Sequence, residues 1–307
     1  MKAQGNYCLI CPGKAVSLGL VLLICFFFAN ARTYADTFYV SNLGNNTIVK
    51  FDSNGNPSVF ANSGLNGPLG LAFDNSGNLY VANSGNNTIE KFGANGIGSV
   101  FANTGLNEPY GLAFDPNGNL YVANYGNSTV TKFDPSGHES SFASALNFPR
   151  GVACDNNGNV YVASVNNSQI FKFGPSGQKS VFADFSSGVA SPGGLAFDPN
   201  GNLYVADFNG PILKFNSAGQ GSVFASSGLN VPLGLGVDRS GSLYAVNLGN
   251  STVEKFTPSG TPSLFANSGL NSGSFIAVQV PEPATWAMLA LGICVVLGGL
   301  RLRHRSS

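Results

Sequence analysis

Charged side chains are scarce in this chain of 307 residues: Asp, Glu, Lys and Arg make up 10% of it, against about 25% in an average globular protein. Residues 36–280 carry 14 acidic and 9 basic side chains, and no cluster of Lys and Arg. Binding to a phosphate backbone requires such a basic patch, so we do not expect a nucleic-acid partner. The hydrophobic fraction of 43% is enough to form a core, so the low charge does not indicate disorder.

Cysteine is nearly absent from the centre of the chain. Four of the five cysteines lie in the terminal segments, at Cys8, Cys11, Cys25 and Cys294. Cys154 is the only one between them, and a lone cysteine cannot form an internal disulfide. We therefore expect the central region to be stabilised by packing alone.

The N-terminal segment has the pattern of a secretory signal peptide. Lys2 and Lys14 precede an apolar run over residues 15–28. Small residues follow in Ala29-Asn30-Ala31 and again in Thr33-Tyr34-Ala35, as signal peptidase requires. We predict a signal peptide over residues 1–35, with cleavage after Ala31 or Ala35.

The C-terminal segment has a second apolar run, over residues 284–300, followed by Arg301, Arg303 and Arg305. This length is at the lower limit for a transmembrane helix, and the arginines should stay in the cytoplasm. Together with Pro281-Glu282-Pro283, the segment 281–307 resembles the PEP-CTERM sorting signal of Gram-negative bacteria. The resemblance implies transient membrane anchoring, cleavage near the tripeptide by an exosortase, and a host that makes exopolysaccharide.

Glycine is abundant, with 40 residues, and much of it belongs to a unit that recurs six times. The unit contains a Tyr in a strand-like run, a Lys-Phe pair and a Phe-Ala pair. These recur with Tyr at 39, 80, 121, 161, 204 and 244, Lys at 50, 91, 132, 172, 214 and 255, and Phe at 60, 101, 142, 182, 224 and 265. The spacing of about 41 residues is typical of propeller blades.

Each unit contains four short apolar runs separated by turn residues, which predicts four antiparallel strands. In the second unit these are A (71–73), B (79–81), C (88–92) and D (99–101). The first unit begins at strand B, and its missing A strand appears at the far end as residues 275–278. We therefore predict an all-β fold over residues 36–280: a six-bladed propeller whose first blade is closed by the C-terminal strand.

The repeat resembles the NHL family over residues 36–280. The match lies in Pro-x-Gly-Leu-Ala-Phe-Asp, Gly-Asn-Leu-Tyr-Val-Ala-Asn/Asp and Asn-x-Thr-Ile-x-Lys-Phe. NHL repeats often carry Arg before the Ile, where the fifth unit of this chain has Pro211 and the other units have Thr or Ser. The family's roles that rely on basic surfaces are therefore not expected here.

Six-bladed propellers include lactonases and lyases that work at the central channel, so a hydrolase or lyase similar to gluconolactonase or virginiamycin B lyase is an alternative. Such a site would need a His or an asymmetric Glu/Asn/Asp cluster. His304 lies in the C-terminal tail and His138 in a predicted C–D turn. The carboxylates that recur after strand A (Asp74, Asp115, Asp155, Asp198 and Asp238) and the Asn residues of the B–C turns are interpreted as turn residues. We predict no catalytic, metal or cofactor site.

Antiparallel strands place the A–B and C–D turns on one face, here called the A–B face, and the B–C turns and D–A loops on the other, the D–A face. The D–A face carries most of the residues that differ between units. Tyr110, Tyr125, Arg150, Asp207 and Phe208 are the predicted ligand-binding residues, since aromatic rings and a lone charge suit a sugar or a peptide. The sequence thus favours an exported, non-catalytic scaffold of the cell surface or extracellular matrix that binds exopolysaccharide or protein.

Overall fold

A computed structural model describes residues 35–185 and 191–280. The predicted signal peptide up to residue 34 and the predicted sorting signal with its helix (281–307) lie outside the described residues. Within the described ranges the regular structure consists of strands. These ranges contain no helix long and apolar enough to cross a membrane.

Twenty-four strands follow one another along the chain. They are β1 (Thr37–Asn42), β2 (Thr47–Phe51), β3 (Pro57–Ala61), β4 (Pro68–Phe73), β5 (Leu79–Asn83), β6 (Thr88–Phe92), β7 (Gly98–Ala102), β8 (Pro109–Phe114), β9 (Leu120–Asn124), β10 (Thr129–Phe133), β11 (Glu139–Ala143), β12 (Pro149–Cys154), β13 (Val160–Ser164), β14 (Gln169–Phe173), β15 (Lys179–Asp184), β16 (Pro192–Phe197), β17 (Leu203–Asp207), β18 (Ile212–Phe215), β19 (Gly221–Ala225), β20 (Pro232–Val237), β21 (Leu243–Asn247), β22 (Thr252–Phe256), β23 (Pro262–Ala266) and β24 (Gly273–Gln279).

These strands form six antiparallel four-stranded sheets, one for each sequence unit. In blades two to six the order is A, B, C, D along the chain, for example β4-β5-β6-β7. The A strands of neighbouring blades contact one another around a closed circle, including β24 with β4. The predicted six-bladed propeller is confirmed.

The first blade is closed by β24, which pairs antiparallel with β1 in the order β24-β1-β2-β3. Thr37 lies opposite Gln279, Tyr39 opposite Ala277 and Val40 opposite Ile276. The buried hydroxyl of Ser41 donates a hydrogen bond to Leu69 O at 2.7 Å and so joins this blade to the next. The closure predicted from the phase of the repeat is therefore confirmed.

The core lies between the blades, and the repeated Tyr of strand B is central to it. Tyr39 stands edge-on to Phe60 of its own blade at 4.9 Å and to Phe73 of the next blade at 5.1 Å, measured between ring centroids. In every blade the repeated Lys lies over the ring of this Tyr, at 5.0 to 5.7 Å from its centroid. The Tyr recurs because its ring packs between two blades, and the Lys recurs because it covers that ring.

Glycine permits the close approach of neighbouring A strands around the centre. A side chain at Gly151 would overlap the carbonyl oxygen of Gly193, and one at Gly111 would overlap that of Arg150. The corresponding position of the closing strand holds Phe275, which is 8% exposed. Blade one therefore places a large aromatic side chain where the other blades have none.

Candidate functional site

The A–B face is built from turns in which an aspartate binds its own backbone. The carboxylate of Asp198 accepts hydrogen bonds from the N–H groups of Asn200 and Asn202, both at 2.9 Å, and from Asn202 Nδ2 at 2.8 Å. The same pattern occurs at Asp74, Asp115 and Asp155, and in part at Asp238. This confirms the interpretation of these residues as turn residues.

Electrostatics support the same role for the aspartates. Burial raises the pKa of Asp198, but the hydrogen bonds from Asn202 and the Lys214 ammonium, 3.5 Å away, outweigh it, so the pKa lies below its usual value. Among the residues the structure describes, no group of His, Cys, Asp and Glu is arranged to hold a metal ion.

A depression of 420 Å³ lies on the A–B face, between the turns of blades four, five and six. Its ionisable groups include Cys154, Asp155, Asp238 and Arg239. Arg239 Nε donates to Asp36 at 2.8 Å, and each aspartate holds its own turn. Burial, with the nearby charges of Asp115 and Asp155, raises the pKa of the Cys154 thiol far above its ordinary value, so this thiol stays protonated and is a poor nucleophile.

His138 lies in the exposed C–D turn of blade three. Its Nδ1 is 3.3 Å from Asp134 Oδ2 in the same turn. The predicted position of His138 in a solvated turn is confirmed.

The D–A face also brings together side chains from three consecutive blades, and here they are aromatic rings and one cation. Tyr110 and Tyr125 belong to blade three, Arg150 to the inner strand of blade four, and Phe208 to the B–C turn of blade five. The Arg150 guanidinium carbon lies 5.8 Å from the centroid of Tyr110, 5.7 Å from that of Tyr125 and 5.0 Å from that of Phe208. With Ser191, these four residues are called the Arg150 site.

The guanidinium of Arg150 is only partly satisfied. Its Nη1 donates to Ser191 Oγ at 3.3 Å. Its Nε is buried and has no hydrogen-bond partner within residues 35–185 and 191–280. None of the ion pairs between described residues includes Arg150. A cation is thus held among half-buried aromatic rings, and no carboxylate of the described residues forms an ion pair with it.

Backbone hydrogen bonds and ring packing fix the aromatic walls. Tyr125 N donates to Glu108 O at 3.1 Å, and Phe208 N donates to Ser191 O at 3.0 Å, so each B–C turn is bound to the preceding D–A loop. The rings of Tyr110 and Tyr125 lie 5.6 Å apart. Burial raises the pKa of Tyr110, although the Arg150 charge opposes this, and the hydroxyl is neutral at physiological pH.

Asp207, the fifth predicted ligand-binding residue, directly precedes Phe208 and forms no ion pair with Arg150 in the described part of the chain. It is 4% exposed. Its carboxylate accepts a hydrogen bond from Asn209 N at 3.2 Å, and its backbone closes the same turn through Pro211 and Gly210. A direct role of Asp207 in ligand binding stays a prediction.

Three contributors to the site were missed by the sequence analysis. Ser191 holds Arg150, Phe148 packs on Tyr125 at 5.0 Å, and Phe275 packs edge-on to Tyr110 at 5.6 Å. Phe275 carried a signal, because it replaces the glycine found at this position of the other A strands. The loop serine and Phe148 carried none, since loop residues vary freely between the units.

Comparison with known proteins identifies two motifs. The NHL repeat model matches residues 65–92, 106–133 and 146–173, which comprise strands A to C of blades two to four with the loops before them. The PEP-CTERM protein-sorting motif matches residues 279–306. The chain thus carries NHL repeats and a PEP-CTERM motif, which indicates export and membrane-associated sorting in Gram-negative bacteria with processing by an exosortase. No curated protein matches the sequence.

Solved propellers of different functions are similar in fold. A chain of a nidogen/laminin complex superposes with a TM-score of 0.71 at 17% identity, covering 79% of this chain and 98% of that one. A catalytically inactive virginiamycin B lyase from Staphylococcus aureus with quinupristin gives 0.60 at 13% identity, covering 78% and 88%. A gluconolactonase from Xanthomonas campestris gives 0.60 at 18% identity, covering 80% and 88%. These similarities establish the fold alone.

Proposed function

We propose that this NHL-repeat propeller is an exported scaffold that binds a glycan or a protein at the Arg150 site and does not turn it over. After processing by signal peptidase and an exosortase, it functions at the cell surface or in the extracellular matrix. The observation that carries this proposal is the convergence of Tyr110, Tyr125 and Phe208 on one cation that lacks an acidic partner among the described residues. Exposed and half-buried aromatic side chains of this kind are typical of binding sites.

The ionisable groups support binding over catalysis. A general base or nucleophile must have an accessible, reactive form near the substrate. At the Arg150 site the ionisable side chains are an arginine and two tyrosines, and burial raises the pKa of Tyr110 further from neutrality. Such groups can orient and hold a ligand.

A hydrolase or lyase that uses the A–B face is the second candidate. The depression there contains Asp155, Asp198 and Asp238, and the structural neighbours named above include a lyase and a lactonase. The three carboxylates each accept hydrogen bonds from their own turn, which weakens this candidate, because a base that is bound in this way is poorly available to a substrate.

The test is a binding screen with the full chain purified in detergent against glycan and peptide arrays. We expect a bound class whose signal disappears in the variant Tyr110→Ala/Tyr125→Ala/Arg150→Ala and persists in Asn75→Ala on the A–B face. Thermal unfolding of both variants checks that the propeller is intact. Equal binding by the wild type and a folded triple variant would remove the Arg150 site from the proposal.

Turnover is measured in parallel with lactone and ester substrates. We expect none. Hydrolysis by the wild type that is lost in Asp155→Asn or Asp207→Asn would place the protein among the propeller enzymes.

A further inference from the structure

We infer that the Arg150 site takes a carboxylate carried on a sugar ring, as in the hexuronate units of an acidic polysaccharide. This inference rests on the proposed function, because it names the ligand class of the same site.

Arg150 gives the site a half-buried positive charge. A half-buried cation is costly unless an anion or several acceptors compensate it. Here one serine hydroxyl and three aromatic faces surround the guanidinium, and residues 36–280 as a whole carry more acidic than basic side chains. None of those acids forms an ion pair with Arg150 in the described part of the chain. The position left for an anion is therefore one that a ligand can fill.

The hydrogen-bonding state points the same way. Nearly all buried polar atoms in folded proteins have a partner, and one that lacks it destabilises the folded state. Arg150 Nε is the only buried side-chain nitrogen or oxygen without a partner in residues 35–185 and 191–280. The unmet donor thus coincides with the unmet charge. A guanidinium has five donors in one plane, which matches the two oxygens of a carboxylate.

The single positive charge of the site favours a carboxylate over a phosphate. A phosphate group with a charge near −2 generally requires several cations or helix N-termini. The site offers a single cation, flanked by the hydroxyl-bearing residues Ser191, Tyr110 and Tyr125. One positive charge balances one carboxylate.

The shape of the site favours a sugar ring as the carrier. Two tyrosines and Phe208 surround the charge with apolar ring surface, and the tyrosines also carry polar ends. A pyranose ring combines an apolar face with hydroxyls at its rim, so it matches both properties. The equivalents of Arg150 in the other blades are Leu69, Tyr110, Gly193, Leu233 and Ser274, so the propeller has one such position, for one uronate unit.

The experiment measures binding of the full chain in detergent to oligomers of galacturonate, glucuronate and mannuronate by calorimetry. Each oligomer is compared with its methyl ester, which keeps the ring and removes the charge. We expect one or more of the acids to bind at least ten-fold more tightly than its ester, and the difference to shrink as salt concentration rises.

Variants assign the effect to Arg150. Arg150→Met should lower affinity for the acid at least ten-fold and leave affinity for the ester nearly unchanged, while Arg150→Lys should recover part of the loss. Lys172→Met is the matched control: it removes one cation from the same blade, where Lys172 lies 5.4 Å from the centroid of Tyr161, and it should bind as the wild type does.

Three outcomes overturn the inference, and they can be told apart. Equal affinity for acid and ester, with loss of both in Tyr125→Ala, removes the carboxylate and leaves the proposed binding function in place. Binding of a Glu-rich peptide through Arg150, with no uronate bound, replaces the sugar by a protein ligand at the same site. Uronate binding that is unaffected in both Arg150→Met and the triple alanine variant removes the site itself and the proposed function with it.

Discussion

The ring of Phe275 packs edge-on against the ring of Tyr110, with centroids 5.6 Å apart and an interplanar angle of 77°. Phe275 belongs to the closing strand β24, and Tyr110 belongs to the inner strand of blade three, so this contact joins two blades that are separated by blade two. Buried Leu69 and Leu233 pack in the same cluster. The strand that closes the propeller thereby also supports the wall of the Arg150 site.

Closure by β24 should dominate the stability of the propeller. Phe275→Ala removes a buried ring and should lower the free energy of unfolding by about 3–5 kcal/mol, as measured by urea denaturation. Deletion of residues 272–280 should destabilise the protein further, since β1 would lose its inner partner.

Leu264→Ala is the control for closure, because Leu264 is 55% exposed on an outer strand and its loss should change stability by less than about 0.5 kcal/mol. Unfolding of the deletion variant at the wild-type temperature would contradict the closure model.

The aspartates of the A–B turns should contribute stability that depends on burial. Asp198→Ala leaves two N–H groups and an amide without their acceptor, a carboxylate that is 8% exposed, which should cost about 2–3 kcal/mol. Asp52→Ala removes the same three bonds from an exposed C–D turn, where water replaces the carboxylate, so it should cost about 1 kcal/mol or less. Chemical denaturation at pH 7 compares the two.

The contribution of Asp198 should also disappear in acid. Because its pKa is lowered in the folded state, the stabilisation is present above the pKa of the unfolded chain, about 4, and is lost as the pH falls through the folded value. The wild type and Asp198→Ala should therefore approach each other in stability below about pH 4. A constant difference down to pH 2 would show that ionisation of Asp198 does not matter.

Glu90 should have the opposite pH dependence. It is 5% exposed on β6, and burial raises its pKa, so the folded state favours the protonated acid. Its favourable contribution is complete below the unfolded pKa of about 4.3 and is lost as the pH rises through the folded value. Glu90→Gln should therefore be more stable than the wild type at pH 8 and nearly equal to it at pH 4, as measured by thermal unfolding.

Glu254→Gln provides the comparison for Glu90. Glu254 occupies the corresponding position of β22, is less buried, and also has a pKa raised by burial, so its substitution should give a smaller change of the same sign. A Glu90→Gln variant that is less stable than the wild type at pH 8 would refute this account.

Sorting should depend on the tripeptide at the start of the PEP-CTERM motif. Replacement of Pro281, Glu282 and Pro283 by alanine should leave the C-terminal segment attached and the protein in the membrane fraction, because the exosortase would lack its recognition sequence. Mass spectrometry of the exported protein reads this directly. Pro258→Ala, in a C–D turn of blade six, should be processed normally. Release of the triple variant at the wild-type mass would exclude exosortase cleavage at this motif.

The fold could be predicted from the sequence because the same pattern of strands and turns recurs six times. Each repeat supports the strand assignment made in the others. The position of the closing strand followed from the phase of the repeat, since the first unit lacked strand A and residues 275–278 supplied one. The convergence of Tyr110, Tyr125, Arg150 and Phe208 was within reach for a related reason: strand direction fixes which loops share a face.

The details of the site could not be predicted in this way. Whether Arg150 has a hydrogen-bond or ion-pair partner depends on the distances between side chains of three blades. The sequence does not contain these distances. Asp207 occupies a position that Asn holds in four other blades, at residues 42, 83, 124 and 247. The burial of Asp207 could have been suspected from this equivalence, but its hydrogen bond to Asn209 depends on the local turn.

The pairing of Thr37 with Gln279 brings both ends of the propeller to the A–B face. Asp36 and Val280 are therefore attachment points on the face away from Arg150. A dye, a resin or a lattice of neighbouring copies that is attached through either residue leaves the Arg150 site open to solution. Molecules attached in this manner form a layer in which every Arg150 site faces the same direction. A long polymer that repeats the recognised group could then bridge many copies, and such avidity commonly multiplies a modest single-site affinity by about 10²–10⁴.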